Sequence, residues 1–346
     1  MKTMEAITKM GHENVLYCYD EATGLKAIIA VHDTTLGPAI GGTRFYPYAS
    51  DEDALYDVLR LSKGMTYKNA AAGLKNGGGK AVIIGDPKVL KTPELLKRYG
   101  QFVERLGGSY YTAEDMNISE ADVEHINSQT AYCVGKKALS GNPSPYTARG
   151  VYRGIKACAK EVFGSDSLKG LRINVTGIGS VGYNLVRHLH EEGAIITVAD
   201  VYQPAVDRVV SEFGVGVAPV ETIHTLAADI FAPCAMGAII SADNAASHNC
   251  KIIAGAANNV LVDNAAGDKL HELGILYAPD YIINAGGVIN CGLEIAVGGW
   301  SQEKAMALAD DIYDNVAMVI ETAKKRGIPT YLAADEYAES ILEAAK

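Results

Sequence analysis

The sequence predicts an α/β protein of two domains with an active-site cleft between them. Short apolar strands alternate with amphipathic helices along most of the chain, a pattern typical of sheets covered by helices. A glycine-rich turn joins a strand to a helix near the middle of the chain, as in dinucleotide-binding domains. The chain has 346 residues, which is enough for two hydrophobic cores.

The first predicted domain comprises residues 1–145. Its predicted strands are short apolar runs at residues 25–31, 80–84 and 109–113. Ser50 and Asp53 have the spacing of a capping box, so we expect a helix that begins there and runs to about Lys63.

Two lysines of this domain form the first candidate site. Lys68 precedes Lys80 by twelve residues, and Lys80 directly follows the glycines from Gly77 to Gly79. Glycines let a backbone approach a ligand closely, so we expect these three to border a binding site. One cation can hold a carboxylate, and a second cation, crowded by the first and partly desolvated, can act as a base.

A dinucleotide-binding signature lies further along the chain. A predicted strand precedes Gly177-Ile-Gly179-Ser-Val-Gly182, and a helix with one apolar face follows it. The helix N-terminus is suited to the phosphates of a dinucleotide. The next strand, residues 194–199, ends at Asp200, whose carboxylate suits the ribose 2′-hydroxyl of NAD and repels the extra phosphate of NADP. We therefore predict NAD as the cofactor.

The second predicted domain is a Rossmann-type NAD-binding domain of residues 146–327. Its later strands are expected at residues 229–232, 251–254 and 275–278. One long helix is expected after Ser301, ending at Gly327 with Pro329 beyond it. The last helix, within residues 328–346, is expected to pack back on the first domain.

Charge and cysteine content exclude several classes of function. The net charge of −10 disfavours binding to nucleic acid or to a membrane surface, since both require a basic footprint. No apolar run reaches the length of a membrane span, and the first residues lack the apolar core of a signal peptide. The six cysteines have neither paired spacing nor metal-ligand spacing, so we expect reduced thiols, a cytoplasmic protein and no metal site.

Several motifs together resemble a family, the amino-acid dehydrogenases that act on glutamate, leucine, phenylalanine and valine. The likeness extends over nearly the whole chain. The matching stretches are His32–Arg44, Lys63–Lys68, Gly77–Lys80, Thr112–Asp115, Gly141–Pro145 with Thr147, Ala232–Ala235, Ala254–Asn259 and Tyr277–Gly287.

The resemblance implies a reaction and a set of site residues. Lys68 would hold the substrate carboxylate, Lys80 would be the general base that activates water, and Asp115 would carry the proton of the amine. The implied cofactor contacts are Thr147, Gly177, Gly179, Ser180, Val181, Gly182, Asp200, Ala235 and Asn259. The implied substrate contacts are Ile40, Gly41, Met65, Ala113, Asn284, Val288 and Cys291. The reaction would be the reversible, NAD-dependent conversion of an L-amino acid into a 2-oxo acid and ammonia.

The substrate side chain is expected to be aliphatic and branched, as in leucine, isoleucine and valine. Leucine-acting members of the family carry alanine and valine at two wall positions, which here are Ala113 and Val288. Against this, Asn117 and Ile118 stand where the family usually has glycine and threonine, a variant similar to the tryptophan-acting relatives. A phenylalanine- or tryptophan-type dehydrogenase is therefore the alternative.

The assembly is expected to be a homo-oligomer, either a dimer or an octamer. The chain ends soon after Leu342, earlier than many leucine-acting relatives, whose tails help to build an octamer. A non-catalytic protein that senses NAD is the alternative to an enzyme. The presence of Lys68, Lys80 and Asp115 together disfavours that class.

Overall fold

The structure is a computed structural model that describes residues 3–346, and these residues form two compact units. The first unit contains the described residues up to Asn142, together with Asn290–Ser301 and Ala338–Lys346. The second unit contains Pro143–Ile289 and Gln302–Tyr337. Each unit combines strands and helices, so the predicted α/β class is confirmed.

The elements of residues 3–127 precede the first division between the units. They are α1 (Thr3–Met10), β1 (Asn14–Asp20), β2 (Leu25–Asp33), β3 (Ala39–Tyr46), α2 (Asp51–Ala71), β4 (Gly77–Ile84), α3 (Pro87–Leu90), α4 (Pro93–Glu104), β5 (Tyr110–Ala113) and α5 (Glu120–Asn127).

The elements that follow begin with the helix after the glycine-rich segment near residue 141. They are α6 (Ser144–Phe163), β6 (Arg172–Thr176), α7 (Ser180–Glu191), β7 (Ile195–Ala199), α8 (Gln203–Phe213), β8 (Gly216–Val217), β9 (Ile230–Pro233), β10 (Ile252–Ile253), α9 (Asn264–Glu272), β11 (Leu276–Tyr277), α10 (Asp280–Ile283), α11 (Gly286–Gly292), α12 (Gln302–Asp310), α13 (Ile312–Arg326) and α14 (Thr330–Ala345).

The sheet of the first unit has the strand order β1-β2-β4-β3-β5. The pairs β1–β2 and β2–β4 are antiparallel, whereas β3 runs parallel to both β4 and β5. One face buries Ile28 and Val82 against Val58 and Leu59 of α2. The other face is covered by apolar residues of α4. Alternate residues of each strand therefore belong to two different cores.

The three glycines before Lys80 lie inside strand β4, which begins at Gly77 and not at Lys80. A Cβ atom on Gly78 would come within 2.1 Å of the backbone nitrogen of Thr66 in α2. A Cβ atom on Gly79 would lie 2.6 Å from the ring of Tyr110 on the opposite face. Packing within the first unit therefore explains both glycines without a ligand, and their place beside a binding site stays a prediction. They let other parts of the first unit pack directly against the strand.

Helix α2 is longer than the sequence pattern predicts, because it continues from Lys63 to Ala71. The predicted N-cap is confirmed, since the Ser50 side chain accepts a hydrogen bond from the Asp53 backbone. Gly64 interrupts the apolar pattern and costs about 1 kcal/mol relative to alanine in a helix. Burial of Thr66, Asn69 and the final alanines outweighs that cost, and Lys68 therefore lies in the last turn of a helix.

The sheet of the second unit is parallel throughout and has the strand order β11-β10-β9-β6-β7-β8. Strand β6 lies in the middle, and the order of connection reverses beside it. This arrangement is the doubly wound dinucleotide-binding topology, in which ligands bind beyond the carboxyl ends of the strands. The Rossmann-type prediction is therefore confirmed.

The long helix predicted after Ser301 is two helices, α12 and α13, separated at Asp311. Its predicted end is correct, since Gly327 caps α13 in a left-handed conformation with φ +64°. None of the helices formed by residues 3–346 combines the length and apolar character that a membrane crossing requires.

Replacing Gly78 with alanine should destabilise the first unit by about 3 kcal/mol or more, because the new methyl group meets backbone that cannot move aside. Gly64→Ala is the matched control. A Cβ atom there has nothing within 4 Å, so this variant should gain about 0.5–1 kcal/mol. Urea unfolding of both variants measures the difference, and equal stability would contradict the packing described.

Candidate functional site

The candidate catalytic pair is Lys80 and Asp115, whose Nζ and Oδ2 atoms lie 2.7 Å apart. Lys80 is buried in β4, and Asp115 follows the end of β5 by two residues. Gly42 of β3 makes the pair possible, because a Cβ atom there would lie 2.9 Å from the Asp115 Cβ and 2.1 Å from the Glu114 carbonyl oxygen. The missing side chain leaves the space that Asp115 occupies.

A second cation, Arg44, lies near the same oxygen of Asp115. Its Nε is 3.7 Å from Asp115 Oδ2, and its Nη1 donates to Asp57 Oδ2 at 2.8 Å. Burial acts to raise the pKa of Asp115, but the charge and hydrogen bond of Lys80, followed by the charge of Arg44, bring it below its usual value. Asp115 is therefore held as a carboxylate beside two cations.

An apolar cluster within the first unit brings several of the predicted substrate contacts together. Ile40 and Ala113 are buried there with Val134, and Cys291 packs against them together with Ile295. Burial raises the pKa of the Cys291 thiol to about 12, so this cysteine stays protonated and acts as an apolar packing residue. The cluster contains no charged side chain.

Glu294 organises the chain beside this cluster, and it was not among the predicted site residues. Its Oε1 accepts hydrogen bonds from the backbone of Gly135 at 3.1 Å and Lys136 at 2.9 Å. It also accepts one from the Ser140 hydroxyl at 2.5 Å. Asn290 donates to the Ser140 carbonyl and accepts from Trp300. These bonds hold the segment that follows Val134.

Asn117 and Ile118, the variant positions after Asp115, do not belong to the apolar cluster. Asn117 has a left-handed backbone with φ +62°, a conformation that asparagine tolerates better than most residues and that glycine adopts freely. Its side chain donates to the Phe45 carbonyl at 2.9 Å. Ile118 is buried in the other core of the sheet. Neither side chain is part of the predicted pocket wall.

The other predicted contacts of the first unit lie on α2 and β3. Lys68 and Met65 are half-buried on α2, and Gly41 is buried on β3. A Cβ atom on Gly41 would meet the Gly79 carbonyl oxygen at 1.7 Å and the Met65 side chain at 3.3 Å. Gly41 is therefore required by strand packing, and Met65 adjoins it.

In the second unit, the glycines of the fingerprint have different reasons to be glycine. A Cβ atom on Gly177 would lie 2.6 Å from Ala235, and one on Gly182 would lie 1.9 Å from the Gly177 carbonyl oxygen. Gly179 has an ordinary φ of −68°, and a Cβ atom there would meet nothing within 4 Å. Glycine is favoured at an N-cap, the position that Gly179 has in α7, but the described protein gives no steric reason for a glycine there. A pyrophosphate approaching the N-terminus of α7, at Ser180 and Val181, would give one.

Asp200 joins the end of β7 to the glycine-rich turn. Its Oδ2 accepts from the Ile178 backbone at 2.5 Å, and its Oδ1 accepts from the Tyr202 backbone at 2.8 Å. Asp200 also lines two cavities, one of about 380 Å³ with apolar walls and one of about 580 Å³ beside Gly179. Both carboxylate oxygens can accept a further hydrogen bond from a ribose hydroxyl.

Arg208 lines the same cavity as Gly179 and Asp200, and the sequence pattern did not reveal it. Its guanidinium lies 3.7 Å from the centre of the Tyr183 ring and pairs with Glu212 at 3.0 Å. Arg208 is five residues beyond Gln203, on the exposed side of α8. It is too far from Asp200 in sequence to be recognised as part of the cofactor motif.

The remaining predicted contacts also lie in the second unit. Thr147 is in the first turn of α6 and donates to the Pro143 carbonyl. Asn259 has a left-handed backbone with φ +51°. The Asn284 amide donates to the Ala256 carbonyl and to Asn258 Oδ1. Val288 is half-buried in α11. Within residues 3–346, no group of three or more histidine, cysteine, aspartate or glutamate side chains could hold a metal ion.

Two family models match the chain. The Glu/Leu/Phe/Val dehydrogenase dimerisation domain matches residues 12–132, and the Glutamate/Leucine/Phenylalanine/Valine dehydrogenase domain matches residues 202–345. The chain belongs to this family. Its members are oxidoreductases of amino acids and use a nicotinamide cofactor, so the predicted enzyme class is confirmed.

Individual relatives cover nearly the whole chain. Leucine dehydrogenase of Bacillus subtilis is 50% identical over 99% of this chain and 94% of its own length. L-tryptophan dehydrogenase of Nostoc punctiforme is 46% identical over 100% of this chain and 98% of its own length. A crystal structure of L-tryptophan dehydrogenase from Nostoc punctiforme matches with a TM-score of 0.88 and 44% identity, over 99% of each chain.

Gly179→Ala should leave the stability of the protein nearly unchanged while weakening NADH binding about tenfold or more, a loss of about 1.4 kcal/mol. The reason is that the added methyl group projects into space that only a ligand would fill. Fluorescence titration with NADH and urea unfolding measure the two quantities.

Gly182→Ala provides the contrast, because its methyl group would meet the Gly177 carbonyl oxygen and should destabilise the protein itself. If Gly179→Ala bound NADH as tightly as the unaltered protein, the assignment of this turn to the pyrophosphate would be wrong.

Proposed function

We propose that the protein catalyses the reversible, NAD-dependent oxidative deamination of leucine, isoleucine and valine to 2-oxo acids and ammonia. The observation that carries this proposal is the Lys80–Asp115 pair, 2.7 Å apart, in the same unit as an uncharged apolar cluster that contains Ala113. Such a pair can move protons at the amino group, while an apolar wall accepts an aliphatic side chain.

The proposed roles follow from the chemistry of the side chains. Lys68 holds the substrate carboxylate through its charge. The Lys80 ammonium first passes a proton to Asp115 across 2.7 Å. The neutral Lys80 then accepts a proton from the water that attacks the substrate imine, and Asp115 returns its proton at the nitrogen. When bound, the nicotinamide supplies the acceptor for the hydride of the substrate Cα.

The size and polarity of the wall favour branched aliphatic side chains. Ala113 keeps a methyl group that a glycine would lack, and Ile40, Val134 and Cys291 present an apolar wall. A glutamate side chain would lose hydration at this wall and would meet the like charges of Glu294 and Glu114, which act on Cys291. Asn284 and Val288 keep the substrate-contacting roles that the family resemblance implies.

An aromatic substrate is the second candidate, because one relative is a tryptophan dehydrogenase at 46% identity. The Asn117-Ile118 variant gives this candidate little support, since one side chain bonds the Phe45 carbonyl and the other lies in a separate core. A non-catalytic NAD sensor would have no use for a buried lysine paired with a carboxylate, since removing such charges from water is costly.

NAD is proposed over NADP because Asp200 would stand beside the ribose 2′-hydroxyl and repel a phosphate there. Arg208 lines the same cavity, but its charge is paired with Glu212 and its plane lies over Tyr183. Thr147 and Asn259 are proposed to bind the nicotinamide amide. The turn from Gly177 to Gly182 and the neighbouring Ala235 are proposed to hold the phosphates.

A homo-oligomer, dimer or octamer, is proposed for the assembly, and the cytoplasm for the location. The match of residues 12–132 to a dimerisation domain supports self-association. Strand β1 also lies at the edge of its sheet and exposes Tyr17 and Tyr19, and such edges readily pair with another chain. The domain assignment proposed is 1–145 with 328–346 for substrate and assembly, and 146–327 for NAD.

Lys80→Ala should lower kcat by about a hundredfold or more, because a general base contributes on the order of 10² to 10⁴ to the rate. NADH binding should remain, since Lys80 belongs to the first unit. Lys68→Ala should instead raise KM for the amino acid strongly. Steady-state kinetics with leucine and NADH titration check both variants. Near-normal turnover of Lys80→Ala at its optimal pH would refute the assigned role.

A panel of twenty amino acids tests the substrate directly. Leucine, isoleucine and valine should have the highest kcat/KM, with phenylalanine and tryptophan at least about tenfold lower, since one methylene shifts specificity by about 1–3 kcal/mol. The readout is NADH absorbance. If tryptophan or phenylalanine ranked above leucine, the aromatic candidate would replace the aliphatic one.

A further inference from the structure

We propose that Arg44 is a positioning residue that sets the pH range of the reaction by holding a fixed positive charge beside the Lys80–Asp115 pair. This inference deepens the proposed function and rests on it, because it assumes that the pair moves the protons of the reaction. Arg44 is not a catalytic residue in this proposal, since it acts only through Asp115.

The strand register brings Arg44 to this place. Arg44 of β3 pairs with Val82 of β4. On β3 it lies two positions after Gly42, whose missing side chain leaves room for Asp115. Alternate residues of a strand share one face, and this face also carries Lys80 two positions before Val82. Asp115 Oδ2 therefore lies 2.7 Å from Lys80 Nζ and 3.7 Å from Arg44 Nε, on the face where Gly42 leaves room.

Asp57 of α2 holds the arginine in position. Its Oδ2 accepts hydrogen bonds from Arg44 Nη1 at 2.8 Å and from the Tyr48 hydroxyl at 2.7 Å. Its Oδ1 accepts one from Arg60 Nη2 at 2.9 Å. The side chains of Arg44 and Asp57 are both more than four-fifths buried, at 18% and 15% exposure. The Nη1 end of the Arg44 guanidinium is thus held by Asp57, which is itself held by Tyr48 and Arg60.

The Nε end of Arg44 has no equivalent hydrogen bond. This atom is buried and donates to no acceptor among residues 3–346, although Asp115 Oδ2 lies 3.7 Å away. Burying a guanidinium nitrogen without a hydrogen bond is costly, so its position calls for a compensating interaction. The charge of Asp115 provides that interaction at a distance where Coulomb attraction in a partly buried site is still strong.

The other charged groups around Asp115 do not supply the same field. Lys80 gains and loses protons in the proposed reaction, so its charge is not constant. Glu114 is adjacent in sequence, and burial, Glu120 and Asp115 raise its pKa. On α2, Asp57 and Arg60 are paired with each other, and Lys68 is proposed to hold the substrate. Of the two cations recorded near Asp115 within residues 3–346, Arg44 is therefore the one whose charge does not change during the proposed reaction.

A permanent cation changes the pKa of Asp115. The charge of Arg44 acts, after that of Lys80, to lower this pKa. Arg44 thus keeps Asp115 from taking up a proton as the pH falls, and the acid limb of the activity profile stays at lower pH.

The test compares the pH dependence of kcat/KM for leucine in Arg44→Gln, Arg44→Lys and Arg60→Gln. Loss of the charge in Arg44→Gln should move the acid limb upward by about one pH unit, the shift typical of an opposite charge at this distance. Arg44→Lys keeps the charge and should restore most of the original limb. Arg60→Gln also loses a bond to Asp57 and should leave the limb unmoved.

Arg44→Met provides a second neutral variant with a side chain of similar length, should the glutamine variant not fold. If a neutral variant lowered activity equally at every pH, with both limbs unmoved, Arg44 would be only structural and the proposal would be overturned. An equal shift in Arg60→Gln would overturn it as well, because the effect would then come from Asp57.

A measurement independent of activity separates this inference from the proposed function. Urea unfolding of Arg44→Gln, Asp115→Asn and the double variant forms a cycle, and a coupling beyond the sum of the single effects is expected for interacting charges. Strict additivity would overturn the contact between Arg44 and Asp115. Absence of amino-acid oxidation by the unaltered protein would refute the proposed function and leave the cycle to decide the contact.

Discussion

The proposed catalytic centre of the first unit depends on close approach between backbones at positions that lack side chains. Gly78 lets helix α2 rest on strand β4, and Gly42 lets the turn after β5 rest on β3. A methyl group at either position would meet backbone atoms at 2.1 Å, a distance that carbon atoms do not tolerate. Because α2 carries Lys68, β4 carries Lys80 and the turn carries Asp115, these two contacts fix where the three functional groups stand.

The charged groups assembled in this way lower the stability of the protein unless each has a partner, so a protein without a reaction to catalyse would gain nothing from them. Lys80 is 8% exposed, and removing an ammonium group from water costs several kcal/mol unless a partner compensates. Asp115 provides one partner, and the network of Arg44, Asp57, Tyr48 and Arg60 balances Asp115 in turn. A centre with this many buried charges is held together by mutual attraction, so removing one member leaves the next uncompensated.

Local signals were sufficient for much of the fold and part of the site. Strand β6, the glycine-rich turn and Asp200 follow one another within thirty residues, so the doubly wound unit could be predicted from spacing alone. Helix α2 could not be bounded correctly, because Gly64 breaks the pattern and tertiary burial restores the helix. Glu294, Arg44 and Arg208 act through contacts with residues distant in sequence, and no periodic pattern marks such contacts.

The glycines illustrate why a sequence motif alone does not tell what a residue is for. The segments Gly77 to Gly79 and Gly177 to Gly182 are both rich in glycine, and both suggested that a ligand approaches the backbone there. The surrounding atoms show a different division. An added Cβ atom would come within 2.6 Å of other protein atoms at Gly78, Gly79, Gly177 and Gly182. Among these glycines, Gly179 has empty space where its Cβ would stand. A bound molecule would explain such a glycine, so Gly179 marks the part of the turn at which we propose that the dinucleotide binds.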